Sequence, residues 1–207
     1  GTYSLYSNTY GYDNTAGGAS SLYLNSSGYY NTAIGEQSLF SNTTGHHNTA
    51  SGYQSLIGNI SGTYNTADGF QSLYTNTSGN SSTAYGALSL YSNTTGYNNT
   101  ADGVLSLYNN STGADNTAVG FQAGYNSSVA LTTLTSSTFF GYKANASTNG
   151  LTNVVVIGSA SQATASNQVV LGNTSITQTL LRGNVGIGDS SPSDKLTVYG
   201  GNLRVGN

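Results

Sequence analysis

Apolar and polar positions along this chain recur every 17 residues, a period that neither a helix nor an isolated strand produces. With Asn-Thr-Ala as the origin, the unit starts at Asn14, Asn31, Asn48, Asn65, Ser82, Asn99 and Asn116, with no insertion or deletion between them. The consensus is N-T-A-x-G-x-x-S-L-Y-x-N-[ST]-[ST]-G-x-x. A fixed short period of this kind marks a solenoid, in which each unit stacks on its neighbour. Seventeen residues are too few for a helix-turn-helix repeat or a propeller blade, and suit one coil of a parallel β-solenoid. The expected fold class is all-β.

Two short strands are predicted per coil, one over Thr-Ala-x and one over Ser-Leu-Tyr. Two glycine columns, one running from Gly11 to Gly113 and one from Gly18 to Gly120, mark corners that need positive φ or close backbone approach. Strand alternation puts Thr and x on one face and Ala on the other. The x column (Gly17, Ile34, Ser51, Asp68, Tyr85, Asp102, Val119) is too mixed to be an interior. The Ala column and Leu22, Leu39, Leu56, Leu73, Leu90 and Leu107 therefore face inward. One Ala and one Leu is a thin core against the entropy of ordering a whole coil. Backbone ladders, stacked asparagines and the aromatic column must add to it, and a second chain is expected to cover an outer face.

Four segments are expected: the solenoid array over 1–124, an irregular transition over 125–150, a different repeat over 151–173, and a β neck or tail over 174–207. In the third, Asn153-Val-Val-Val-Ile-Gly158 returns as Asn167-Gln-Val-Val-Leu-Gly172, 14 residues on. In the fourth, alternating residues and Gly200-Gly201 predict a strand pair joined by a tight turn. The chain opens inside a repeat and has no methionine, so it reads as a fragment or a processed product of something longer.

Charge narrows the functions. Only 5% of residues are charged, against about a quarter in ordinary domains. All four basic residues (Lys143, Arg182, Lys195, Arg204) follow the array, which carries Asp13, Glu36, Asp68, Asp102 and Asp115. Nucleic-acid binding needs a basic stripe and is not expected. The longest apolar run, Val154–Ile157, is too short to span a bilayer, and no signal peptide is visible. No constellation of titratable groups suggests an enzyme, and no cofactor or metal is expected.

Candidate chemistry is sparse. The asparagines Asn14, Asn31, Asn48, Asn65, Asn99 and Asn116 read as a corner ladder bonding to backbone and to each other, with a ligand ladder as the other reading. The column Tyr6, Tyr23, Phe40, Ile57, Tyr74, Tyr91, Tyr108 reads as packing, because Phe and Ile replace Tyr without a polar group. Tyr29, Tyr30, Tyr53, Tyr64, Tyr85 and Tyr97 occupy variable positions and are the better candidates for sugar contact. The threonine column from Thr15 to Thr117 raises ice binding, against which the irregular x column counts. His46-His47 reads as an exposed loop; in a trimer it would bring three imidazoles around an axis. The Asn-x-Ser/Thr triplets at Asn25, Asn42, Asn59, Asn76, Asn93 and Asn110 are generated by the turn itself.

The 14-residue pair Asn153–Gly158 and Asn167–Gly172 resembles the head repeats of trimeric autotransporter adhesins. The N-T-A-x-G-x-x-S-L-Y array resembles repeat tracts of phage tail fibres and bacterial surface fibres. The stretch from Leu180 to Val198 resembles the segment that such fibres carry upstream of a self-cleaving intramolecular chaperone, a domain this sequence does not contain. The resemblance implies a left-handed β-roll in a homotrimer and an extracellular role on a virion fibre or a cell surface. The longer period implies different corners from those of the adhesin head. The function expected is a structural or adhesive fibre segment that mediates attachment. A glycan-binding module acting through the exposed tyrosines is the alternative, and an ice-binding solenoid a weaker one. The expected partners are the chain itself and a cell-surface glycan.

Overall fold

The computed structural model describes residues 1–182, 185–187 and 196–198. The chain divides into two units, Gly1–Asn173 and Thr174–Asn207. No described residue is helical.

The first unit is a parallel β-solenoid. Each Thr-Ala-x segment forms a three-residue strand: β1 (Thr15–Gly17), β2 (Thr32–Ile34), β3 (Thr49–Ser51), β4 (Thr66–Asp68), β5 (Thr83–Tyr85), β6 (Thr100–Asp102) and β7 (Thr117–Val119). Threonine pairs with threonine and alanine with alanine at every step. The sheet continues through β8 (Thr138–Phe140), β10 (Val155–Ile157) and β12 (Val169–Leu171) to ten strands in all. At about 4.8 Å per strand the stack is about 43 Å long. From β2 to β7 the alanine is fully buried, and the residues on either side of it face outward.

The predicted second strand does not form. Leu22, Leu39, Leu56, Leu73, Leu90 and Leu107 have φ between 47 and 51°, in the left-handed region, and Ser-Leu-Tyr is a turn. A strand would send Ser and Leu to opposite faces, yet both columns are fully buried. The serine hydroxyl donates to the glycine carbonyl three residues back, as Ser21 does to Gly18 at 3.0 Å. The leucine side chain meets the alanine column in the interior. Left-handed backbone costs about 1–2 kcal/mol at a non-glycine residue. Burying a leucine returns about 2 kcal/mol, and its N–H is satisfied by the next coil, as Leu22 donates to Ser38 O at 3.0 Å.

The two glycine columns serve different needs. Gly35 has φ +128°, and a Cβ there would lie 2.5 Å from Gly52 O. Gly45 has no positive φ, but a Cβ there would lie 2.6 Å from both Asn59 Nδ2 and Gly62 O. One corner requires glycine for its dihedral and for space, the other for space alone.

Two asparagine ladders run along the array. In the first, Nδ2 donates to a glycine carbonyl of the following coil, as Asn48 does to Gly62 at 2.8 Å, with Leu134 O in that place for Asn116. Each Oδ1 accepts the N–H of the residue one coil on, as Asn31 does from Asn48 at 3.0 Å, and where Ser82 replaces asparagine its hydroxyl accepts from Asn99 N at 3.2 Å. In the second, Asn42 Nδ2 donates to Asn25 Oδ1 at 2.7 Å and to Gly45 O at 3.0 Å, and Asn59, Asn76 and Asn93 repeat the pattern. The second ladder stops there: Asn93 Oδ1 and Asn110 Oδ1 are buried without a partner.

Residues 125–150, read from sequence as an irregular transition, continue the coil. Thr138 pairs with Thr117, 21 residues on rather than 17, an insertion of four. The interior is recomposed at this step. Gly124 takes the leucine position, where a Cβ would lie 2.6 Å from Leu107 Cδ2, and buried Phe139 takes the alanine position. The ring fills the space that the missing leucine leaves, while Leu131 and Leu134 close the inserted stretch.

The 14-residue repeat joins the same sheet. Val155, Val156 and Ile157 pair with Val169, Val170 and Leu171, so the last coil is three residues shorter without a break in register. Two-residue strands β9 (Asn145–Ala146) and β11 (Gln162–Ala163) pair on a second side of these coils. In the second unit β13 (Val185–Ile187) pairs in parallel with β14 (Leu196–Val198). The strand pair read from sequence around Gly200-Gly201 lies outside the described residues.

Two substitutions test the interior. Leu73→Asp buries an unpaired charge and is expected to destabilise the array by about 3 kcal/mol or more in a thermal or urea melt, with Asp68→Asn neutral. Asn59→Asp replaces a group that donates to two acceptors, Asn42 Oδ1 and Gly62 O, with one that only accepts. A loss of about 2–3 kcal/mol is expected. The same change at exposed Asn80, whose Oδ1 accepts from Thr63, should be tolerated.

Candidate functional site

Short in-register coils stack identical side chains about 4.8 Å apart, a spacing close to that of stacked rings. The chain therefore forms aromatic columns. Tyr6, Tyr23 and Phe40 stack at 5.2 and 5.0 Å with nearly parallel planes. Ile57 interrupts, and Tyr74, Tyr91 and Tyr108 resume at 4.8 and 5.0 Å. Burial, then neighbouring Tyr74 and Tyr108, raise the Tyr91 phenol above its usual range.

A second aromatic cluster lies on the turn that precedes each strand. Tyr12, Tyr29 and His46 form one row, with centroids 4.9 and 4.6 Å apart. Tyr30, His47 and Tyr64 form the row beside it, at 5.0 and 4.8 Å. His46 Nδ1 and His47 Nδ1 are 2.9 Å apart, so a single proton shared between them satisfies both nitrogens. Burial lowers the His46 pKa below 6.5, and His47 lowers it further.

The six sequence-predicted tyrosines do not form one surface. Tyr29, Tyr30 and Tyr64 meet in this cluster. Tyr53 stacks on Phe70 at 5.6 Å in a different column. Tyr85 stands on the outer sheet face between Asp68 and Asp102, and Tyr97 sits alone in its turn. Tyr29 has a ring on each face, so only its edge and hydroxyl are free for a ligand. Tyr85 and Tyr97 stack on no other ring among the described residues and are 45% and 49% exposed. Tyr12, His46 and His47 complete the cluster and were not read as aromatic neighbours in the sequence. The signal was their 17-residue spacing from Tyr29, Tyr30 and Tyr64.

The predicted asparagines are buried ladder members from Asn31 to Asn116, with Asn14 half-buried at the first coil, and the predicted leucines are core. The ladder amides already hold their backbone and side-chain partners. The threonine column lies in register on the outer sheet face, beside an x column that runs from Gly17 through Asp68 and Tyr85 to Phe140. Among the described residues no three His, Cys, Asp or Glu side chains come together as a metal site, and no helix is long and apolar enough to cross a membrane.

No protein-family model matches this sequence, and comparison with curated proteins and with solved structures returns no match.

A pH titration tests the histidine pair. The folded state holds His46 below its unfolded value, so it binds fewer protons than the unfolded chain. Stability is complete above about pH 6.5 and falls as pH drops through the folded value. His46 should titrate below 6.5 by NMR. His46→Asn, a residue that Asn80 already provides in that column, should remove the matching slope of melting temperature with pH.

Proposed function

We propose that this chain is a structural segment of an extracellular fibre, a shaft or head that self-associates as a homotrimer and mediates attachment. One observation carries the reading. The x column of the outer sheet face changes character along the stack, from a mixed run of Gly17, Ile34, Ser51, Asp68, Tyr85 and Asp102 to an unbroken apolar run of Val119, Phe140, Ile157 and Leu171. Phe140 is 56% exposed, Ile157 41%, Leu171 51% and Val169 67%. An in-register apolar stripe is a costly surface to leave in water. Its repeat distance is that of the coil itself, and a second copy of the chain has the same repeat to set against it. The small interior, the neutral ladders and the resemblance to fibre repeats support the same reading. They suit a rigid element better than a catalyst.

Glycan contact through exposed tyrosines is the second reading, favoured by the exposure of Tyr85 and Tyr97 and by the two carboxylates that flank Tyr85. Such carboxylates accept hydrogen bonds from sugar hydroxyls. Affinity per site would be weak and would depend on multivalency.

Analytical ultracentrifugation of the chain tests the assembly. A mass three times that of one chain is expected. Ile157→Asp, on the exposed face, should dissociate it while leaving the circular-dichroism melt of the array in place. A stable folded monomer of the unaltered chain would overturn the proposal.

A further inference from the structure

The four-residue insertion has a second effect beside the recomposed core. It opens a cleft of about 210 Å³ lined by Gln122, Tyr125, Asn126, Ser127, Lys143 and Asn145. Lys143 is the one Lys or Arg in the first unit. It pairs with no carboxylate among the described residues and rests against the Tyr142 ring, with Nζ 5.2 Å from the centroid. Lys143 follows Gln122 in a turn column that also holds Gln37, Gln54 and Gln71, all left-handed.

Two walls of the cleft are fixed. Asn126 donates to Ala146 O at 3.0 Å and accepts from Ser128 N at 2.9 Å. Asn145 donates to Tyr125 O at 3.4 Å and accepts from Gln162 at 3.0 Å. The remaining groups are unspent: the Gln122 amide, the Ser127 and Tyr125 hydroxyls and the Lys143 ammonium make no hydrogen bond among the described residues. Residues carrying one cation and three neutral donor–acceptor groups thus line a volume suited to one sugar ring.

We propose that this cleft binds an acidic monosaccharide unit, a pyranose carrying a carboxylate. The ammonium takes the carboxylate through a charge-assisted bond, and Gln122, Ser127 and Tyr125 take ring hydroxyls. A bare anion would use the cation alone, and an exposed lysine–carboxylate pair is worth little by itself. A neutral sugar would leave the ammonium idle. An acidic peptide would need an apolar pocket for neighbouring side chains, which this polar lining does not offer. Gln122 and Lys143 lie in the turns that follow β7 and β8, beside Asn145 of β9.

Titration of the full isotope-labelled chain with glucuronate, glucose and acetate tests this by NMR. Glucuronate is expected to give saturable shifts at Gln122, Tyr125, Ser127 and Lys143, in the millimolar range. Glucose and acetate should each bind about tenfold more weakly or worse. Lys143→Gln places the residue that the same column tolerates elsewhere, so it should fold. It is expected to bring glucuronate down to the level of glucose, while Lys143→Arg retains binding and added salt weakens it. Acetate binding as well as glucuronate would overturn the proposal, leaving a lone ion pair. So would an unchanged response in Lys143→Gln, or no saturable shift at this cleft.

Discussion

The rest of the structure depends on carboxamide side chains that bond simultaneously along and across the stack. Asn48 Nδ2 holds Gly62 O of the following coil, while its Oδ1 holds the N–H of Asn65. Asn59 ties its own turn at Gly62 and the coil before it at Asn42. A coil with only one leucine and one alanine inside cannot fix its own shape by apolar packing. The two ladders supply what is missing: they satisfy buried backbone carbonyls and leave a coil no freedom to slip. A one-residue shift would unmake every bond of the ladder at once, which accounts for a period that does not drift.

This explains where the fold was legible and where it was not. The Ala and Leu columns pointed inward because the x column beside them mixes Gly, Asp and Tyr. The asparagine corners were legible because the residue recurs beside glycine. The leucine conformation was not. Ser-Leu-Tyr has the composition of a strand, and only the joint burial of Ser21 and Leu22 shows that it turns. The interior across residues 125–150 was not legible for a related reason. Once four residues are inserted, Phe139 and Gly124 no longer align with Ala and Leu, and their exchange of volume is visible only in three dimensions.

The candidate sites follow the same division. Tyr29, Tyr30 and Tyr64 were singled out for their variable positions, yet the rings that cover Tyr29 change what it offers a ligand. Stacking spends ring faces: a regular aromatic array is a good packing device and a poor platform for sugars except at its ends and interruptions. The cleft around Lys143 had no sequence signature. It arises where the period fails, from residues that are unremarkable one by one.

The hydrogen bonds between coils, backbone and side chain alike, run along the stacking direction of the first unit. Tension applied along that direction therefore loads successive coils in series and not in parallel. Such an element peels one coil at a time, each freeing 17 residues, or about 58 Å of extended chain. Coils farther from the pulled end keep their ladders intact. A stack stiff against bending can in this way still lengthen in steps when pulled, dissipating a load without losing its remaining structure.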